Sequence, residues 1–254
     1  MSMPIAEQTV LISGAGRGLG AAIAEAFARE GAKVAINYRS SRAPAEALAR
    51  RLGKRAHAFQ ADIREAAEVT RLVGAVTARF GAPNTVVHNA MADFSFNGDA
   101  RAKLETLSWD NMTAHFETTA KGALNLLRAV RPAMAEAGFG RIITIGTNLV
   151  QNPVVPYHDY TAAKGALLAL TRTMAAELGP SGITVNMVSG GLLRTTDASA
   201  ATPEAVFDLI AANTPLRRVL TPAEAADAVL FFASPWARGV TGQNLIVDGG
   251  LVCH

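Results

Sequence analysis

The sequence predicts a doubly wound α/β fold: a seven-stranded parallel sheet with helices on both faces. Three observations carry that reading. Short β-branched apolar runs alternate with longer alanine- and leucine-rich stretches, the pattern of strands buried on both faces and joined by crossover helices. The glycine-rich stretch SGAGRGLG, Ser13 to Gly20, stands where the first strand hands over to a helix. Half of the 254 residues are hydrophobic and only 18% are charged, which supplies a sizeable core and argues against disorder. One domain spanning residues 1–254 is expected, with a flap at about 192–214.

The elements follow in order. TVLIS, Thr9–Ser13, is the first strand, and the helix Leu19–Arg29 grows out of the glycines behind it. The next strands are KVAIN (Lys33–Asn37) and RAHAFQ (Arg55–Gln60), separated by a helix at Ala45–Leu52. A helix at Glu65–Phe80 leads to the fourth strand, Thr85–His88. Helical spacing then runs from Ser108 to Ala135 before RIITIGT, Arg141–Thr147. The helix Thr161–Leu178 precedes the strand Thr184–Val188. The least regular segment, Leu192–Thr214, reads as the flap. Thr221-Pro222 supplies an N-cap and first turn to the helix Ala223–Ala233, and NLIV (Asn244–Val247) closes the sheet. Trp109 and Trp236 read as packing residues.

Several classes of function are excluded. Net charge is +3, but Lys and Arg are scattered and form no stripe, so nucleic-acid binding is not expected. The single cysteine, Cys253, has no internal partner, which fits a reducing compartment, the cytoplasm. MSMPIAEQ lacks a basic segment followed by an apolar one, and no apolar run reaches the roughly 18 residues of a membrane span. The five histidines and Cys253 show no metal-ligand spacing, so no catalytic metal is expected.

In a doubly wound sheet, ligands collect at the carboxyl edge where the strand order reverses. Glycines there let the backbone approach a pyrophosphate, and the following helix offers free N–H groups and its positive dipole end. Two spacings fit the stretch: Gly16, Gly18 and Ala21 as GxGxxA, or Gly14, Gly18 and Gly20 as GxxxGxG. After the second strand no acid is present to accept from a ribose 2′-OH; Arg39 stands there, and Arg17 lies inside the glycine loop. Two cations converging on a 2′-phosphate favour NADP(H) over NAD(H).

Downstream, YHDYTAAKGALLAL sets Tyr160 and Lys164 four residues apart on one helix face. A tyrosine with an ordinary pKa of ~10 is a poor acid-base group at neutral pH, and a neighbouring ammonium favours its phenolate.

SGAGRGLG, Asn89-Ala90 after the fourth strand, Tyr160-TAA-Lys164, Asn186 before Gly190-Gly191, and VDGG at Asp248–Gly250 together resemble the short-chain dehydrogenase/reductase family over essentially the whole chain. Within it the chain looks most similar to 3-oxoacyl-(acyl-carrier-protein) reductases. The resemblance selects the GxxxGxG spacing and implies a Rossmann-type sheet, a nicotinamide cofactor and hydride transfer at an oxygen-bearing carbon. It implies that Tyr160 protonates the carbonyl oxygen while Lys164 holds the nicotinamide ribose, with Thr147 in the place of the family's serine. Cofactor contacts are implied for Ser13, Gly14, Gly16, Arg17, Gly18, Leu19, Gly20, Arg39, Asp62, Ile63, Asn89, Ala90, Gly190, Gly191 and Thr195.

Departures are also plain. Thr119 replaces the asparagine that in the family helps hold a relay water, so a relay here must be rebuilt or run slower. His88 and Met91 flank Asn89-Ala90 where a second asparagine and a glycine are more usual, and Gly190 stands for proline. The helix after Tyr160 is small and apolar around much of its circumference, which implies a partner helix, and the resemblance makes that partner part of a homotetramer. The expected function is NADPH-dependent reduction of a ketone, with a 3-oxoacyl thioester as the leading substrate. An NAD-dependent alcohol or sugar dehydrogenase, or a cofactor-binding protein with little catalysis, is the alternative.

Overall fold

The structure is a computed structural model and describes residues 2–253. Seven strands, β1 Thr9–Ser13, β2 Lys33–Tyr38, β3 Ala56–Gln60, β4 Thr85–His88, β5 Gly140–Thr147, β6 Ile183–Gly190 and β7 Asn244–Val247, form one sheet. Every pairing is parallel, in the order β3-β2-β1-β4-β5-β6-β7. The order reverses between β1 and β4, which makes that edge the place for a ligand.

Among the described residues, eight α-helices cover the faces: α1 Gly18–Arg29, α2 Arg42–Leu52, α3 Ala66–Phe80, α4 Trp109–Phe116, α5 Gly122–Ala137, α6 His158–Leu178, α7 Glu204–Asn213 and α8 Pro222–Ala233. Side chains of a strand alternate between faces, so one strand feeds two cores. Val10 and Ile12 of β1 pack with Phe27 of α1 and Phe232 of α8. Leu11, between them, packs with Leu72 of α3 and Leu126 of α5. Both sets are fully buried, which is why the strands read as unbroken apolar runs.

Helix ends are fixed by local chemistry. Ser108 and Asn111 form a reciprocal capping box at α4, and Thr221 and Glu224 form another at α8 with Pro222 at the first position. α2 begins at Arg42, earlier than its periodicity predicts, because Pro44 falls within the first turn, where a missing N–H costs nothing. α6 begins at His158, which brings Tyr160 inside the helix.

Three expectations are corrected. The stretch Ser108–Ala135 is not one α-helix: a π-helical turn, Glu117–Lys121, separates α4 from α5. The widened turn adjoins Gly122, where a Cβ would lie 2.6 Å from Ile63 Cδ1, a closeness that periodicity cannot register. The flap region contains α7, whose one fully buried residue, Phe207, leaves no periodic signature. Trp109 and Trp236 are not packed in the core; they are 76% and 81% exposed. Among the described residues, no helix is long and apolar enough to cross a membrane, and no group of three or more His, Cys, Asp or Glu side chains is placed to hold a metal ion.

Asn186 fastens the far half of the sheet. From β6 its amide donates to the Val240 carbonyl at 2.8 Å and accepts from Gln243 N–H at 3.0 Å, just before β7. Asn186→Leu strands both backbone groups and should lower stability by about 2–3 kcal/mol. Chemical denaturation of the variant, with an unchanged m-value, is the check; no loss of stability would refute this account.

Candidate active site

The carboxyl ends of the central strands open into a cavity of about 730 Å³. One end is the glycine loop. Gly14 has φ +63°, and a Cβ there would sit 2.8 Å from Ala90 Cα. At Gly20 a Cβ would sit 2.6 Å from Asn89 Nδ2 and 2.8 Å from Ala15 Cα. The loop thus lies against the turn after β4 with no room for side chains. Gly14, Gly18 and Gly20 line the cavity, whereas Gly16 faces Ser41 Oγ. Arg17 precedes α1 without capping it through its side chain, so the first-turn N–H groups of α1 are left for a ligand. That cradle fits a pyrophosphate.

At the end of β2, Tyr38, Arg39, Ser40 and Ser41 continue the lining. Both expected cations are here, each already paired with a carboxylate from a loop across the cavity. Arg17 meets Asp197 at 3.2 Å, and Arg39 meets Asp93 at 3.3 Å. Ser40 and Ser41, hydroxyls beside Arg39, were not singled out from sequence, although their place directly after a β2-end arginine is a usable signal. The Asp62 carboxylate, ahead of α3, is held by Arg64 Nη2 at 2.6 Å, which lowers its pKa.

Beneath the loop runs a buried chain of hydrogen bonds. The imidazole of His88 lies 2.9 Å from the Thr119 carbonyl through Nε2 and 3.2 Å from Ser13 Oγ through Nδ1. A carbonyl only accepts, so Nε2 carries the proton and Nδ1 accepts from the Ser13 hydroxyl. Ser13 Oγ in turn accepts from the N–H groups of Asn89 and Ala90, both at 3.1 Å. Asn89 closes the arrangement by donating to the carbonyls of Ser13 and Gly14 at 3.2 and 3.0 Å. Burial, then the charge of Lys164, drives the His88 pKa down to about 4, so the ring is neutral, as this pattern requires. His88 and Thr119, two departures from the family pattern, therefore touch each other.

At the other end, Tyr160 hydrogen-bonds to the Thr147 side chain, and Lys164 Nζ lies 5.7 Å from the Tyr160 ring centre. Lys164 donates to the Ile145 carbonyl at 2.6 Å. Burial pushes the Tyr160 pKa up to about 12, and only the bond to Thr147 opposes it. In the unliganded site the low-polarity surroundings, and not the Lys164 ammonium, dominate the Tyr160 hydroxyl and favour its protonated form. Burial likewise lowers Lys164 to about 8.

Of the residues expected at the site, Arg17, Leu19, Arg39, Asp62, Ile63, Asn89, Ala90, Thr147, Tyr160, Lys164, Gly190 and Gly191 line the cavity with the three glycines. Ser13 stands behind the wall as the acceptor just described. Thr119 does not line the cavity; it is 1% exposed, and its neighbour Thr118 takes the place. Thr195 does not line it either. A turn tying Thr196 N–H to Ser199 Oγ at 2.8 Å brings Thr196 to the wall instead, facing Gly18. Sequence reasoning also missed Phe94, Phe96 and Tyr157, which surround Tyr160.

Fold and site define an oxidoreductase built on a dinucleotide-binding sheet. More particularly, the chain belongs to the short-chain dehydrogenase/reductase family: a family model described as enoyl-(acyl carrier protein) reductase matches residues 14–252. A 3-oxoacyl-(acyl-carrier-protein) reductase of Staphylococcus epidermidis is 32% identical over 248 residues, 96% of this chain and 98% of that protein. Two solved structures share the fold. One is a gluconate 5-dehydrogenase from Burkholderia cenocepacia in complex with NADP and tartrate, with TM-score 0.87 and 32% identity over 96% of this chain and 94% of that one. The other is a 3-oxoacyl-(acyl-carrier protein) reductase from Brucella melitensis, with TM-score 0.89 and 31% identity over 98% and 92%.

The buried pair makes stability depend on pH. Between about 8 and the ordinary lysine value, the unfolded chain holds a proton on Lys164 that the folded protein lacks, so stability rises with pH. Above the ordinary tyrosine value of 10.0, the raised Tyr160 reverses the slope. Thermal stability of the unliganded protein should therefore climb from about pH 8 to 10, and Lys164→Met should abolish the climb. Melting curves across that range test this, and an equal climb in the variant would refute it.

Proposed function

We propose that this protein is an NADPH-dependent reductase that converts a ketone to a secondary alcohol. The observation that carries the reading is Tyr160: a protonated phenol, hydrogen-bonded to Thr147, in one cavity with a glycine cradle and two arginines. The cradle at Gly14, Gly18 and Gly20 would hold the pyrophosphate, with Arg17 and Arg39 at the 2′-phosphate in exchange for their present carboxylate partners. Lys164 would hold the nicotinamide ribose. A reduced nicotinamide bound there supplies the hydride. Thr147 and Tyr160 would hold the carbonyl oxygen between their hydroxyls, and Tyr160 gives it a proton as the carbon is reduced. A phenol kept protonated by burial is in the correct state for that donation. The names of two relatives make a 3-oxoacyl thioester one substrate to try. The small residues of α6, with open space where a Cβ at Gly165 would lie, support a homotetramer, which gel filtration would test.

Steady-state oxidation of NADPH and NADH with a ketone panel should show preference for NADPH, and Tyr160→Phe should lower kcat by about 100- to 10,000-fold. Undiminished turnover in the variant would remove Tyr160 from its role. The double variant Arg17→Ala/Arg39→Ala should weaken NADPH binding and leave NADH binding nearly unchanged. Asp93→Asn with Asp197→Asn should strengthen NADPH binding a few-fold, because the phosphate no longer competes with carboxylates. Equal effects on the two cofactors would argue against a 2′-phosphate site.

A further inference from the structure

The cavity is divided by charge. Among the described residues, the charged side chains of its lining are engaged already: Arg17 with Asp197, Arg39 with Asp93, Arg64 with Asp62, and Lys164 with the Ile145 carbonyl. The wall around Tyr160 is of another kind. Phe94 stacks on the Tyr160 ring with centroids 4.6 Å apart and an interplanar angle of 12°. Phe96 meets the same ring edge-on at 5.7 Å, and Tyr157 meets Phe94 edge-on at 5.1 Å. Leu149 and Val155 complete the cluster. Arg101, whose charge reaches Tyr157, donates to the Gly98 carbonyl and is not part of the wall.

We propose that this chamber selects neutral ketones bearing an aromatic or alicyclic ring beside the carbonyl, and that Phe94 is the residue that selects them. The proposal rests on the ketone-reductase reading above. A substrate carboxylate entering here would leave water and meet no cation on the aromatic wall itself, which is costly. A ring meets the opposite situation. Apolar surface is removed from water on several sides, and the existing stack of Phe94 on Tyr160 gives a flat substituent an aromatic face next to the proton-donating hydroxyl. The chamber therefore separates this chain from a relative whose named substrate is gluconate. Phe94 lies between β4 and α4, in a segment with no periodic signal, so its meeting with Tyr160 is a long-range product of the fold.

The test compares 1-tetralone, 5-ketogluconate and acetoacetyl-CoA as substrates of the full-length protein at saturating NADPH. The expected result is a kcat/KM for the ring ketone about 100-fold or more above that for 5-ketogluconate, and above that for acetoacetyl-CoA by a smaller factor. Phe94→Ala should raise KM for 1-tetralone about tenfold, with NADPH affinity unchanged by fluorescence titration, which also shows that the variant is folded. Phe94→Leu keeps bulk without the ring and should fall between. Preference for the keto acid or the thioester, or an unchanged KM in Phe94→Ala, would overturn the chamber's assignment and leave the reductase reading standing. No turnover of any of the three, with NADPH bound, would overturn both.

Discussion

The pairing of β1 with β4 governs this molecule. Ser13 and His88 are register partners at the ends of those strands, and there the chain turns in opposite directions, leaving a crevice that neither turn fills. The crevice needs its walls held at fixed separation without solvent between them. One serine oxygen does much of this, accepting two backbone N–H groups of the β4 turn and donating to an imidazole that reaches the π turn. Because Ser13, His88 and the Asn89 turn each find partners within this set of hydrogen bonds, the arrangement costs little; loss of any one member would strand the others. The glycine loop, the Asn89 turn and the helix opposite Lys164 thus share a single support.

The electrostatics at the two ends of the cavity are opposed. At the mouth, arginines and carboxylates meet across loops in exposed pairs, each worth little and readily exchanged. At the floor, Tyr160 and Lys164 are fully buried, and low polarity decides their protonation states. A polar, exchangeable entrance suits a phosphorylated ligand, and a dry floor suits proton transfer.

What was legible in the sequence follows from the range of the interactions concerned. β-strands buried on both faces announce themselves as apolar runs, and every expected strand is present within a few residues. SGAGRGLG and Tyr160-TAA-Lys164 are local signatures, and the residues they name meet in one cavity. Thr119 and Thr195 each stand one residue away from the side chain that lines the wall, because a π turn and a Ser199-anchored turn rotate their neighbours inward. The aromatic chamber was illegible for a different reason: Phe94 and Tyr160 are 66 positions apart in the chain, and nothing near either one records the other. His88 showed as an anomaly whose meaning depended on a carbonyl belonging to another element.

α7 carries one further consequence. Its one fully buried side chain is Phe207, with the Arg194 guanidinium 4.8 Å from the ring centre. Burying a phenylalanine contributes roughly 1.5–3 kcal/mol, whereas a whole domain unfolds at a cost of about 5–15 kcal/mol. This helix is therefore the part of the pocket wall expected to open ahead of the sheet, with amide hydrogens along it exchanging faster than those of the strands. Because Val206 and Ile210 of this helix line the cavity, an opening of α7 on warming would loosen the pocket wall before the strands, and heat sensitivity of the site would then be set by a different part of the chain from the melting temperature.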